Sequence, residues 1–398
     1  LSMRILIAHN FYQIPGGEDA VARSEIDLLR SFGDEVFTYE RHNDELKQLN
    51  PFAKIAHFVS LSHNRHSYNQ MRETLRRHRP EVVHFHNIYY MMTPSVYQAC
   101  RDEGVPVVQS LHNYRMMCSN GLLFRDGHVC EDCLEKNIWE GVKHRCFRNS
   151  AVLTALMASN LDRLWRKGVW ANDVDRYIVA AEFTRRKYMD RGIPVEKIVH
   201  KPHFIHPDLG KRDKDEGYVL YLGRLSEEKG ADILLEAWRL IKDIPLKIAG
   251  TGGMDAKLKK FTVDHGLNNV EFLGLLNQDQ CQKVLSCAGV VIIPSVCYEN
   301  FPRVVVEAFS CGVPVVASRL GSLAELIEDG ETGLLVEPGD PAAIQRAVRR
   351  CFDNKIKTSY MGDNARRVFE EKYTAKANYH KLIGIYENVI ERTKTVHR

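Results

Sequence analysis

The sequence predicts an α/β protein made of two doubly wound parallel-sheet domains, and three observations carry that prediction. Short apolar runs alternate with amphipathic segments from end to end, which is the pattern of βαβ units. The 398 residues are enough for two or three domains at roughly 150 residues each. A polar stretch at 201–217 (KPHFIHPDLGKRDKDEG) has the Pro and Gly of a linker. The expected division is therefore 1–205, 206–375 and a helical tail at 376–398.

Each element follows from its run. In the second half, residues 218–222, 246–249, 270–273, 290–294, 313–317 and 333–336 read as six buried strands. Helical spacing at 233–241 and 342–351 fills the gaps between them. In the first half, 4–8, 82–85, 105–111 and 177–180 read the same way, interrupted by insertions at about 40–75 and 113–170. The tail has apolar residues at helical spacing over 379–392, so it can cross back onto the N-terminal domain. Two sheets of this kind would face a central cleft, with ligands outside the carboxyl ends of the strands.

Composition excludes several classes. With 44% hydrophobic and 27% charged residues the chain is an ordinary globular protein, neither disordered nor fibrous. Residues 1–205 hold 28 Lys and Arg against 24 Asp and Glu, and the remainder balances at 27 against 27. That modest excess fits anionic small molecules or a membrane surface; a nucleic-acid binder would show a stronger basic stripe. No run approaches the ~18 apolar residues of a spanning helix, and the opening LSMRILIAHN reads as a buried strand and not as a signal peptide. The expectation is a cytoplasmic protein, peripheral at most on the inner face of the plasma membrane.

Two motifs carry chemistry. Gly223-Arg224-Leu225-Ser226-Glu227-Glu228-Lys229-Gly230 follows a strand and precedes a helix. Arg224 and Lys229 on such a loop can converge on a diphosphate, Arg as a fork and Lys as a point charge. Glu299-Asn300-Phe301-Pro302-Arg303-Val304-Val305-Val306-Glu307 follows the strand ending at Pro294. Pro302 suits a first helical turn, which puts Glu299 in the loop and Glu307 more than a turn inside. Glu307 beside an apolar stretch needs a partner, and ligand hydroxyls would serve.

With Glu299-x7-Glu307 and Gly-Arg-Leu-x3-Lys-Gly together, the chain resembles the retaining glycosyltransferases of the GT4 family (glycosyl transferase group 1), which have the GT-B fold. The resemblance extends to Pro15-Gly16-Gly17, Ser110-Leu111-His112, Gly250-Thr251-Gly252-Gly253 and Glu331-Thr332-Gly333-Leu334-Leu335-Val336. It implies that Arg224 and Lys229 hold the donor diphosphate, Glu307 the ribose, and Glu299 with the amides of Asn300 and Phe301 the donor sugar. His112 would contact that sugar, the amides of Gly16 and Gly17 its phosphate, and backbone at Leu275 the base, with Gly250 and Gly252 lining the donor site. Arg224, Lys229, Glu299 and His112 are the catalytic set so implied. Asn113 stands where Asp often follows this His, and Ala181 where Ser often precedes Glu-Phe-Thr-Arg. The activity implied is transfer of a hexose, glucose-type favoured, from a UDP-sugar or alternatively a GDP-sugar to a glycan or lipid-linked acceptor, with retention. The donor phosphate would take the acceptor proton, and no cofactor is required. A sugar-nucleotide epimerase and a non-catalytic nucleotide-sugar-binding subunit are the alternatives.

Other patterns read as structural. Asp255 occupies the third glycine position of a dinucleotide fingerprint begun at Gly250, and Asp173-Val174-Asp175 sits before a strand in a basic neighbourhood. Cys118, Cys130, Cys133 and Cys146, spaced C-x11-C-x2-C-x12-C, suit a structural zinc site pinning the insertion, a redox pair or free thiols. Lys54, Arg65, Arg72, Arg76, Arg77 and Arg79 against Glu73 and Glu81, with an aromatic edge at Trp170, give either a solvated helix face or a surface for anionic lipid.

Overall fold

The structure is a computed structural model and describes residues 2–13, 16–212 and 214–396. It divides into two compact units, Leu1–Leu123 with Cys130–Pro202 and Asn378–Arg398, and Phe124–Val129 with His203–Ala377.

The first unit is built on β1 (Arg4–Phe11), β2 (Glu35–His42), β3 (Val82–Phe85) and β4 (Val107–Ser110). After the short hairpin of β5 (Phe124–Arg125) and β6 (His128–Val129), β7 (Arg176–Val179) and β8 (Ile198–His200) complete its sheet. The six strands are parallel in the order β2-β1-β3-β4-β7-β8. The four inner strands are the four apolar runs of the sequence, because a strand covered on both faces has little room for polar side chains. β2 is a half-exposed edge strand carrying Glu35, Glu40 and Arg41, and β8 has only three residues, so neither stands out as a run. The hairpin β5–β6 groups with the second unit although it lies in the insertion assigned to the first.

Ile5, Ile7, Val82, Val108 and Ile178 form the core on one face of this sheet. They meet Ile26 and Leu29 of α1 (Gly17–Ser31) and Leu382, Tyr386, Val389 and Ile390 of the closing helix Ala375–Val396. The apolar spacing read in the tail is the stripe that covers this sheet. Further along, α2 (Pro51–Val59) starts at Asn50, whose side chain accepts the Ala53 N–H.

The second unit contains β9 (Val219–Leu222), β10 (Leu246–Ala249), β11 (Val270–Gly274), β12 (Val290–Ile293), β13 (Val315–Ser318) and β14 (Gly333–Val336). Their order, β11-β10-β9-β12-β13-β14, is the doubly wound 3-2-1-4-5-6 arrangement, parallel throughout. Buried Trp238, Leu234, Leu235, Ile248, Ile292 and Val316 belong to its core. Strands β9 and β12 are neighbours whose connections run to opposite sides. Their following loops therefore diverge and leave a crevice, the switch point of such sheets. The second of these loops leads into α3 (Arg303–Ser310).

Gly230 closes the first loop against the second. Its φ of +68° is left-handed, and a Cβ there would lie 2.1 Å from the Pro294 carbonyl oxygen. Gly230→Ala should therefore lower the unfolding free energy by at least about 2 kcal/mol. Gly253, with nothing within 4 Å of a Cβ, is the control. Urea unfolding of both variants checks this, and an unchanged Gly230→Ala midpoint would contradict it.

Candidate active site

The crevice of the second unit brings Lys229 and Glu299 together although they are 70 residues apart. Lys229 Nζ donates to both carboxylate oxygens of Glu299, at 2.6 and 2.8 Å, and Ser295 Oγ donates to Glu299 Oε1 at 2.6 Å. The loop carrying Glu299 is fixed by Ser322 Oγ, which donates to the Glu299 carbonyl at 2.6 Å. Burial pushes the Glu299 carboxyl up, but the ammonium of Lys229 outweighs it and, with Ser295, holds the group below its ordinary range. The partner ammonium is correspondingly held above its own. Of the two expected diphosphate ligands, Lys229 is thus already paired.

Arg224 is different. Its side chain is 63% exposed, with its guanidinium 3.6 Å from Glu228 Oε1, while the Ser226 hydroxyl donates to the same carboxylate at 2.7 Å. Its backbone carbonyl accepts from Tyr221 Oη at 2.8 Å, which anchors the loop to the end of β9. Gly250 and Gly252 buttress that loop. Gly223 N–H donates to the Ala249 carbonyl and Leu225 N–H to the Thr251 carbonyl, both at 3.0 Å. A Cβ at Gly250 would fall 1.9 Å from the Gly223 carbonyl oxygen. The glycine pair in this strand-to-helix turn therefore has a packing reason of its own.

Glu307 lies in the second turn of α3 with its carboxylate 3.7 Å from Arg303. Burial pushes its carboxyl above the ordinary range and Arg303 opposes the rise. Phe301 is buried against His203 and Tyr373, at ring distances of 5.0 and 6.2 Å. Asn300 is in the same loop, and Leu275, which is exposed, follows β11.

In the first unit, His112 follows β4. Its Nε2 lies 3.0 Å from His86 Nδ1, with the two rings stacked. His86 is a site residue that the sequence reading passed over, because a histidine at the end of an apolar run looks like core. The available signal was His84-x-His86 closing the strand next to the one that ends at His112. Gly16 caps α1, and its N–H donates to Asp19 Oδ2 at 2.8 Å. That amide, expected to serve a phosphate, is taken here by the Asp19 carboxylate. Gly17 is the exposed member of the pair, and Pro15 lies outside the described residues. Asn113 has a clear reason: its Nδ2 donates to Glu18 Oε1 at 2.8 Å, where an aspartate would set two carboxylates against each other.

The remaining patterns have separate outcomes. Asp175 accepts the Val107 N–H at 2.7 Å and Asp173 pairs with Arg101, so both are structural. Much of the basic face is neutralised within the chain, Arg72 and Arg76 by Glu103 and Arg77 by Glu73. Trp170 is buried and offers no aromatic edge. The exposed apolar residues lie instead on α2, at Phe52, Ile55 and Val59. Among the cysteines, burial pushes the Cys133 thiol up to about 12, and Cys118, Cys146 and Cys130 are near enough to add to the rise. Cys118 Sγ donates to Asn120 Oδ1 at 3.0 Å. Among the described residues, the group whose ligand atoms gather within 4.8 Å is Glu25, His84 and His86, not the thiols.

Two family models match nearly end to end, Glycosyltransferase Family 4 over residues 15–209 and Glycosyl transferases group 1 over 205–368. The chain belongs to the GT4 glycosyltransferases. Among the relatives of this family member, the Methanocaldococcus jannaschii glycosyltransferase MJ1607 is 35% identical over 187 residues, 46% of this chain and 47% of that protein. The Escherichia coli O-antigen chain mannosyltransferase C is 26% identical over 219 residues, 54% of this chain and 59% of that protein. The chain thus spans about half the length of these curated relatives. Anabaena HepE, solved in complex with UDP, superposes with a TM-score of 0.70 at 19% identity, over 97% of this chain and all of that one. The fold is GT-B.

The ion pair and the exposed arginine should respond differently to truncation. Lys229→Ala leaves Glu299 buried without its counter-charge and should cost on the order of 3 kcal/mol of stability. Arg224→Ala should leave stability unchanged and remove about 2–4 kcal/mol of transition-state stabilisation from turnover. Denaturant unfolding beside steady-state rates checks both, and equal stabilities would contradict the pairing.

Proposed function

We propose that this GT4 member transfers a hexose from a nucleoside diphosphate sugar to an acceptor hydroxyl, with retention at the anomeric carbon. The observation that carries the reading is the convergence of Lys229, Glu299 and the Arg224 loop at the switch point of the second sheet. Paired side chains at the carboxyl ends of β9 and β12 form a charged cradle that a diphosphate and a polyhydroxyl ring would complete. An incoming diphosphate draws on Lys229 and Arg224. Glu299 then exchanges ammonium protons for sugar hydroxyls, while Glu307 accepts from ribose. The donor phosphate takes the acceptor proton, and the two cations offset charge growing on the leaving diphosphate.

UDP is the favoured nucleotide, supported by the HepE complex, and a glucose-type sugar is favoured because HepE is also solved with UDP-glucose. The O-antigen mannosyltransferase relative supports a glycan acceptor and keeps a GDP-sugar open as the alternative. Among the described residues no helix is long and apolar enough to cross a membrane. The exposed Phe52, Ile55 and Val59 of α2, with Lys54 between them, support peripheral contact with an anionic bilayer beside a lipid-linked acceptor.

Glu307→Gln should weaken UDP binding by about 1.5–3 kcal/mol, the worth of a charged hydrogen bond. Glu299→Gln releases Lys229 to the phosphates and should leave bare-nucleotide affinity unchanged or raised while slowing transfer. Glu307 accepts from hydroxyls most strongly when ionised, so wild-type affinity should fall on acidification, starting above the ordinary carboxylate range, and Glu307→Gln should flatten that fall. Calorimetry with UDP and rates with the sugar donor decide this. Equal losses of nucleotide affinity in both variants would overturn the division of roles, and epimerised donor without acceptor would favour the alternative activity.

We also propose that the four thiols close on a structural zinc. Elemental analysis of protein prepared without chelator should then give about one zinc per chain. Metal-free protein of unchanged thermal stability would end that proposal.

A further inference from the structure

Behind His112 lies a buried chain of titratable groups that the transfer reaction itself does not use. Glu25, on the inward face of α1, is 1% exposed. Its Oε1 accepts from Lys201 Nζ at 2.6 Å, and the same ammonium donates to Asn378 Oδ1 at 2.9 Å. The ammonium already supplies the positive charge, so Glu25, His84 and His86 need no metal. The second carboxylate oxygen of Glu25, Oε2, faces His86 Nε2 at 3.4 Å and His84 Nδ1 at 3.6 Å. His84 has hydroxyl partners on both nitrogens, Tyr386 at 2.7 Å and Ser110 at 2.8 Å. His86 has the Glu25 carboxylate on one side and His112 Nε2, 3.0 Å from its Nδ1, on the other.

These contacts fix where the protons lie. A carboxylate only accepts, and Glu25 remains ionised because Lys201 and then His86 outweigh its burial. At 3.4 Å the carboxylate lies outside hydrogen-bond geometry and acts through its charge, which favours the His86 proton on Nε2, the nitrogen that faces Glu25. Burial also holds His86 below the ordinary imidazole range, so at neutral pH its Nδ1 carries a lone pair. The short contact then requires His112 to donate from Nε2. The other titratable and charged neighbours of His86 are His9 on β1, itself bonded to Asp19 on α1, His84 on β3, and Lys201 after β8. None of them reaches His86 Nδ1 in place of His112.

We propose that Glu25 and His86 are positioning residues for His112, keeping a proton on its Nε2 in every ionisation state and confining its acid–base exchange to Nδ1. The relay rests on the transferase reading only for its consequence in turnover. The proton placement is a property of the free protein.

The test is a long-range proton–nitrogen NMR correlation on full-length protein labelled with nitrogen-15 histidine, with His112 assigned through His112→Asn. Neutral His112 should be protonated at Nε2. His86→Phe keeps a ring of similar size in the stack and should abolish that preference. Because Glu25→Gln leaves Lys201 without a counter-charge and endangers folding, His86→Phe is the variant relied on. It should reduce kcat between about tenfold and a hundredfold with nucleotide affinity unchanged, and shift the pH profile of kcat. Neutral His112 protonated at Nδ1, or unchanged in His86→Phe, overturns the relay whether or not the protein transfers sugar. A lost tautomer preference with turnover unchanged at every pH overturns the positioning role. Wild-type protein without any transfer, showing the expected tautomer, would instead discredit the transferase reading.

Discussion

The contact between Lys229 and Glu299 depends on strand order more than on either residue. In a 3-2-1-4-5-6 sheet the first and fourth strands lie side by side, so the loops that follow them leave from adjacent strand ends and flank one crevice. Gly230 lets those loops approach to backbone contact with Pro294, and the ammonium and carboxylate then lie within 2.8 Å. Without a ligand the two charges satisfy one another. A buried pair that a ligand can divide is a site prepared for something carrying both negative charge and hydroxyl groups.

The first unit follows the same rule with different chemistry. Its strand order turns back between β1 and β3, which are parallel neighbours, and the ends of β1, β3 and β4 gather His9, His86 and His112 with Asp19 and Glu25 of α1 behind them. Cations paired with carboxylates dominate one unit, and imidazoles backed by buried carboxylates dominate the other. A transferase that binds an anionic donor and must avoid wasting it on water has use for both, the first for binding energy and the second for a fixed proton inventory.

Much of this was legible in the sequence because strands covered on both faces must be apolar, and ten apolar runs stood out, although one of them, expected to be buried, is the half-exposed edge strand β11. The edge strands β2 and β8 did not, since one is half exposed and charged and the other is three residues long. Arg224, Lys229, Glu299 and Glu307 were legible as types at a spacing. Their partners were not: that Lys229 reaches Glu299 and that Arg224 stays exposed are consequences of topology, which no local pattern encodes. Glu25 was hidden in a different way. It lies among Val21, Ala22 and Ile26 on the buried side of α1, where a charged residue signals a buried partner, but the partner, Lys201, is 176 residues away. The four cysteines were legible as a spacing suited to metal, while among the described residues the ligand atoms that gather within 4.8 Å are those of Glu25, His84 and His86.

A second unit that recognises a nucleoside diphosphate through both its phosphates and its ribose should discriminate among UDP, UMP and 2′,3′-dideoxy-UDP in calorimetric titration of the full-length protein. UDP should bind, with clear losses when either the β-phosphate or the two ribose hydroxyls are removed. Equal affinity for all three compounds, or no binding of any nucleoside diphosphate including GDP, would contradict that recognition.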